Sequence, residues 1–419
     1  MNSYVLYSIL FHAIRVHPHE FDRARARCRY FTRQNLGMSK VIVFATPVFL
    51  ALIALEFLWG RAKASAGRGP DNYRLNDTLN SVSLGMMGQL GGVLSKALTV
   101  GIYTAVFSSV ALYPDTTFWS SGYGVVLALI FYDFCYYWLH RAGHEVALFW
   151  AAHVVHHQSQ TYNLSTALRQ SSSGSLFGWI FYLPMAVAGV PPIIFGTVAL
   201  IDLLYQFWVH TEHVGKLGWF DRVFCSPSNH RVHHAVNDGY LDKNYGGVLV
   251  IWDRLFGTFK EETAPCVYGT RKPLQSWDPV WANAEVYGAL LHDSWHARHW
   301  GDKLRTWFKP PGWRAADVSE RFPRPAFDIE AVQTFDPPMS PGLQWFAAVQ
   351  FALLLAGVAS FLWVADTLPF AQAAVGVTAL WAGMWALGAA MQARLSVVAV
   401  LAVDAVVIAT AWGLLLLLR

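Results

Sequence analysis

Long, almost chargeless runs recur along this chain, and they limit its fold more than any other feature. They extend from Val41 to Trp59, Leu84 to Leu112, Tyr123 to Leu139, Leu176 to Val209, Leu343 to Ala365, Pro369 to Met391 and Ser396 to Leu418. Hydrocarbon offers the backbone no partner, and a run of about 20 residues meets its own N–H and C=O needs by coiling into a helix that crosses the core. With 54% hydrophobic and 14% charged residues, the chain is too apolar for an ordinary soluble protein. The expectation is an all-α, multi-pass integral membrane protein, a multi-span helical bundle. A net charge of +4 gives no reason to expect a nucleic-acid partner.

The runs divide the chain. Residues 1–40 form a basic segment in which Arg23, Arg25, Arg27, Arg29 and Arg33 precede the first span and read as a cytosol-facing anchor. Residues 41–139 hold the N-terminal spans, 140–265 a histidine-rich core, 266–342 a polar, Trp- and Arg-rich cytosolic or interfacial segment, and 343–419 three closing spans. Within the core, Val190-Pro191-Pro192 breaks residues 176–209 into two arms, because proline lacks a backbone donor and restricts the residue before it. Each arm is short for a full crossing, so a hairpin entering and leaving on one face is expected, with the histidines before and after it on the same side. Three full crossings before His140 would put the basic N-terminus opposite the histidines; either Leu84 to Leu112 forms a re-entrant pair of shorter helices, or the N-terminus is not cytosolic. The cysteines Cys28, Cys135, Cys225 and Cys266 show no paired spacing, which suggests neither a disulfide framework nor a thiolate zinc site.

Eight of the sixteen histidines stand in three groups: His140 and His144; His153, His156 and His157; His230, His233 and His234. Residues three and four apart share a helix face, and the last two groups have the same spacing. Imidazole suits borderline metals, and eight are more than one ion can use. Clustered without a metal, they would repel on protonation and leave polar nitrogens unsatisfied. A lone His-x-x-x-His is as often structural as ligating; two copies of His-x-x-His-His turn the balance to a dimetal site. Structural zinc usually takes four ligands with cysteines among them and catalytic zinc three, so redox-active iron fits better, with zinc able to occupy the same cage. His210 is a further candidate ligand, while His213 reads as surface or supporting. His12, His17, His19, His292, His296 and His299 read as exposed or interfacial.

A metal-bound imidazole usually donates its other N–H to a carboxylate or carbonyl. Asp133, costly in an apolar helix unless paired, and Glu145 are the expected orienting carboxylates and the candidate catalytic residues. Asp202 and Glu212 flank His210, and Asp202 equally suits a structural partnership within the hairpin. Trp138, Trp150, Trp179, Trp208, Trp219 and Trp252 read individually as an aromatic belt. Arg169 and Lys243 either meet a lipid phosphate or face solvent.

The wording of these segments resembles the fatty acid hydroxylase and sterol desaturase superfamily. The matching stretches are Tyr132-Asp133 through His140-Arg141-Ala142-Gly143-His144-Glu145, His153-Val154-Val155-His156-His157, Phe207 to Glu212, and Ser226 to His234. The run Asn163 to Gln170 and the tail from Asn244-Tyr245-Gly246-Gly247 to Gly257-Thr258-Phe259 point to its ether-lipid-cleaving branch. The resemblance covers roughly residues 40–320. It implies a mushroom of membrane helices under a cytosolic cap with two iron ions, and O2-dependent hydroxylation of a membrane lipid. In that branch the hydroxylated carbon adjoins the ether oxygen of an alkylglycerol, an aldehyde is released, electrons come from tetrahydrobiopterin, and the glutamate matched by Glu145 matters. Relatives often carry histidine where this chain has Asn229. No cytochrome b5-like stretch is fused here, so an external electron donor is expected. Two other readings stay open: a sterol or fatty acyl hydroxylase or desaturase with the same metals, and a metal transporter. The transporter predicts polar residues strung through several spans, whereas here the histidines gather at span ends.

Overall fold

The structure, a computed structural model, describes residues 38–417. Most of the basic N-terminal segment, with His12, His17, His19 and Cys28, lies outside the described residues. Among the latter the chain is helical, with no strand beyond the isolated bridges Phe224–Leu249 and Ala235–Tyr268.

The principal helices are α1 (Met38–Ser65), α2 (Leu75–Val110), α3 (Gly122–Glu145), α4 (Trp179–Ala188), α5 (Pro192–Trp208), α6 (Pro227–His234), α7 (Pro279–His296), α8 (Trp300–Phe308), α9 (Pro341–Val364), α10 (Phe370–Met391) and α11 (Val397–Leu417). Among the described residues five stretches are long and apolar enough to cross a membrane: Lys40–Ser65, Gly122–Glu145, Pro341–Thr367, Phe370–Met391 and Val397–Leu414. α2 bends by 43° between Leu75–Lys96 and Leu98–Val110, within the run Leu84 to Leu112. α3 starts where the Ser121 hydroxyl accepts from the Gly124 N–H at 3.1 Å, a usual N-cap contact. It does not stop at Leu139 but runs on to Glu145, so the first histidine pair belongs to the span itself.

The hairpin forms where the prolines require it. α4 ends at Gly189 in the left-handed region (φ +102°), where a Cβ would stand 2.2 Å from the Tyr113 carbonyl oxygen. Only glycine fits that turn, and α5 restarts with Pro192 in its first turn. The Tyr103 hydroxyl donates to the Val190 carbonyl at 2.9 Å and anchors the tip.

Two cores result. α2, α9 and α10 interlock through Met86, Leu90, Leu354, Val358, Met384 and Leu387, while α3 and the hairpin close over Tyr132, Met185, Ile194 and Val198. α11 packs mainly on α10. Phe44, Leu55, Val126, Ile193 and Val406 point outward from the bundle, as lipid-facing side chains do. The ends of α3 and α5, the turn Val154–His157 and α6 meet at one end of the bundle.

Candidate metal centre

Helical spacing brings His140 and His144 together on the last turns of α3, ring centroids 5.4 Å apart. The chain then folds back through the turns Ala147–Ala151 and Val154–His157, returns along the hairpin to His210, and presents the third group on α6. Neighbouring histidines fan apart. His140, His144, His153, His157 and His233 make one group, and His156, His210, His230 and His234 another; within each group one ring nitrogen per residue lies within 4.8 Å of all the others. Both His-His pairs are therefore divided between the groups, which adjoin where the His157 and His234 rings stack at 4.3 Å.

Nitrogen spacing and orientation suit shared ions. Nε2–Nε2 separations are 3.1 Å for His153–His157, 3.2 Å for His156–His210, 3.1 Å for His210–His230 and 3.2 Å for His230–His234. Metal–nitrogen bonds of about 2.0–2.1 Å put neighbouring ligand atoms about 3.0–3.4 Å apart. Four rings donate Nδ1–H to a backbone carbonyl: His140 to Tyr245 at 2.8 Å, His156 to Arg169 at 2.9 Å, His210 to Gln206 at 2.8 Å and His233 to Lys243 at 3.1 Å. A carbonyl only accepts, so the proton sits on Nδ1 and the Nε2 lone pair turns inward. The Nε2 atoms of His140, His144 and His233 are buried without a hydrogen-bond partner among the described residues, a cost that a cation removes. Burial keeps the imidazoles beyond the spans neutral: it pushes His156 down to about 4, and burial with neighbouring histidines holds His157 and His234 well below the usual range. Neutral imidazole is the ligating form.

The carboxylates do not orient the rings as expected. Asp133, fully buried, accepts from the Val248 N–H at 2.7 Å, the Leu249 N–H at 3.0 Å and the Trp252 indole at 2.9 Å, and touches no imidazole. Asp253 accepts from the Tyr245 N–H at 2.7 Å and the Gly246 N–H at 2.8 Å. Together they pin the loop whose Lys243 and Tyr245 carbonyls hold His233 and His140. Glu145 accepts from Arg141 Nε at 2.9 Å and lies 3.5 Å from the Tyr245 hydroxyl. Asp202 accepts from the Gln206 amide at 2.5 Å, and the Gln206 carbonyl holds His210; Glu212 faces Asn72 and Tyr268 instead. His213 stacks edge-on against Trp59, outside both groups, as do the partly exposed His292 and His296.

Sequence reasoning missed three supports. Arg169, buried rather than facing phosphate or solvent, donates to the Val155 carbonyl at 2.8 Å and to Asn80 at 2.9 Å, beside Asp77 at 3.8 Å. Glu56 of α1 accepts from Thr211, next to His210, at 2.5 Å and from the Leu164 N–H at 2.8 Å. Asn229 donates to the Asp221 carbonyl at 3.0 Å while its own carbonyl accepts from Asn244 at 2.9 Å, so it braces the loop behind α6. For Glu56 the available signal was polarity inside an apolar stretch, which marks a partner without naming it.

A family model for fatty acid hydroxylases matches residues 125–258, the stretch that carries all nine histidines. The chain is 38% identical to an alkylglycerol monooxygenase of Danio rerio over 322 residues, 75% of this chain and 70% of that one. It is 36% identical to its Homo sapiens counterpart over 74% of this chain and 69% of that one. The chain belongs to the alkylglycerol monooxygenase family. Membership makes it an oxidoreductase of the monooxygenase class, and with histidines gathered at one end of the bundle it sets the transporter reading aside. An ornithine lipid hydroxylase of Rhizobium tropici is 25% identical over 54% of this chain and 69% of that one. No solved structure matches significantly.

In this family member two cavities meet the histidines from different sides. One, of about 360 Å³, lies among the membrane helices, with Phe49, Met86, Leu139, Phe177 and Leu355 on its walls, and reaches His140, His153, His156 and His210. The other, of about 390 Å³, reaches His144, His157, His233 and His234 and is bordered by Asp242, Arg271, Lys272, Glu285 and Arg324. The apolar cavity suits a lipid chain and the charged one a polar molecule.

Proposed function

We propose that the nine histidines hold two iron ions and that the chain hydroxylates the carbon beside the ether oxygen of an alkylglycerol. The observation that carries this reading is the apolar cavity bordered by histidines of both groups, His140 and His153 of one and His156 and His210 of the other. An alkyl chain lying between Phe49, Met86 and Leu355 brings its ether end toward His140 and His156. Bound ions would supply the activation of O2 toward a C–H bond. The residues do the rest: carbonyls of Tyr245, Arg169, Gln206 and Lys243 hold the rings, and the apolar walls exclude water from the reacting carbon. Asp202, whose Oδ1 is buried and unsatisfied on the wall of this cavity, is a fitting partner for a hydroxyl of the substrate head.

One O2 and two electrons with two protons yield the hydroxylated carbon and water; the resulting hemiacetal breaks into an aldehyde and a glycerol. An external donor, tetrahydrobiopterin in this reading, would approach through the charged cavity, away from the lipid. Basic side chains on that side, Arg271, Lys272 and Arg324, support a cytosolic orientation. The test is to quantify iron and zinc in the purified protein, then measure O2 consumption and products with ether lipid and reductant. Two ions per chain and stoichiometric aldehyde are expected. Oxidised sterol or acyl product without aldehyde would reject the ether substrate; metal-free yet active protein would reject the dimetal site.

A further inference from the structure

Outside the spans, α7 is turned inside out for a helix meant to face water. Its acidic residues point inward: Glu285 pairs with Lys272, and Asp293 with Arg314 at 2.9 Å and Arg324 at 2.9 Å. Its outer side carries Trp281, Leu291 and Trp295 and no charged residue; α8 continues the surface with Trp300, Leu304 and Phe308 at helical spacing. Trp295 and Trp300 are each 80% exposed, and Leu304 64%. A contiguous surface of this kind marks an interaction site.

Its position in the fold identifies the occupant. The strand of chain entering α7 lies against Gly388 near the end of the span α10, where a Cβ would stand 2.2 Å from the Trp277 carbonyl oxygen. The far end of α7, together with α8, packs on Ala147–Ala151, the turn that follows span α3, and the Ala147 N–H donates to the Lys309 carbonyl at 3.0 Å. The helix pair thus bridges the same-side ends of two spans, at the level where the chain leaves hydrocarbon. Arg298, Arg305 and Lys309 are exposed around the aromatic surface. Trp and aliphatic side chains on one side with basic residues beside them are what an in-plane helix offers to anionic headgroups.

We infer that the Trp281–Phe308 surface is seated in the headgroup layer of the bilayer that holds the spans. The test uses the full chain in nanodiscs containing anionic phospholipid, with Cys28 and Cys266 replaced by Ser and an environment-sensitive fluorophore on Leu291→Cys, Leu304→Cys or, as an exposed control, Glu320→Cys. Labels at 291 and 304 should emit to the blue of the control, lose about half their intensity to spin-labelled lipid, and be quenched by aqueous iodide at least about threefold less. Iodide quenching equal to the control at both sites overturns the inference. So does shielding from both quenchers with two chains per disc, which would assign the surface to a second copy.

Discussion

Arg169 allows the support of the metal centre to be weighed against an ordinary surface pair. Arg169→Met keeps the bulk of the side chain and removes its charge and donors. At 3.8 Å from Asp77, the Coulomb attraction is about 4 kcal/mol at an effective dielectric of about 20. Without it the buried Asp77 carboxylate keeps the Ser159 and Thr161 hydroxyls, at 2.7 and 2.8 Å, and a long contact from the Ser81 hydroxyl at 3.5 Å, all neutral donors. Asn80 Oδ1 loses its donor, a cost of about 1–3 kcal/mol. Val155 retains only a 3.4 Å contact from the Gln158 N–H. Breaking one side of such a buried pair costs about 3–5 kcal/mol, the loss expected here. Arg141 and Glu145 also pair, at 2.9 Å, but with 26% and 39% of their side chains exposed, so Arg141→Met should cost at most about 1 kcal/mol. Because the Arg169 carbonyl holds His156, metal in the four-histidine group should fall with stability. The assay is thermal unfolding of both variants in one detergent, with metal quantified beforehand. The reasoning fails if Arg169→Met melts no lower than Arg141→Met and retains full metal.

Further variants separate ligation from support. His156→Ala and His233→Ala should each lose metal and activity while still inserting into membranes; full turnover of either iron-loaded variant would refute its assignment. Glu145→Gln should keep its metal, since the carboxylate touches Arg141 and Tyr245 rather than a ring, and turn over more slowly; unchanged kcat would reduce it to a structural role. Asp202→Asn should raise KM for an ether lipid with a free head hydroxyl more than for one with that hydroxyl methylated, and an equal effect on both would remove Asp202 from substrate recognition. Leu355→Trp, which fills the apolar cavity, should shift preference toward shorter alkyl chains, and an unaltered chain-length profile would place the substrate elsewhere.

The two-sided access has a chemical rationale. In the proposed reaction lipid and reductant differ in polarity, and a site between an apolar cavity and a charged one would receive both without either crossing the other's path. The division of adjacent histidines serves the same end: His156 and His157, one residue apart, face different cavities.

What could be read without coordinates was what local chemistry carries. Hydropathy placed the spans, the double proline placed the hairpin turn, and i, i+4 spacing put His140 beside His144, His153 beside His157 and His230 beside His234. Tertiary structure decided which histidines share a group, since His233 joins His140 from 93 positions away in sequence while its neighbour His234 joins His156. It also decided what holds them. The Tyr245 and Arg169 carbonyls act through backbone oxygen that every residue possesses, so no side chain announces them. Asp133 shows the same limit: its cost in an apolar helix foretold a partner, but the partners proved to be the Val248 and Leu249 N–H groups and Trp252, because only folding brings a loop more than a hundred residues distant within hydrogen-bond reach.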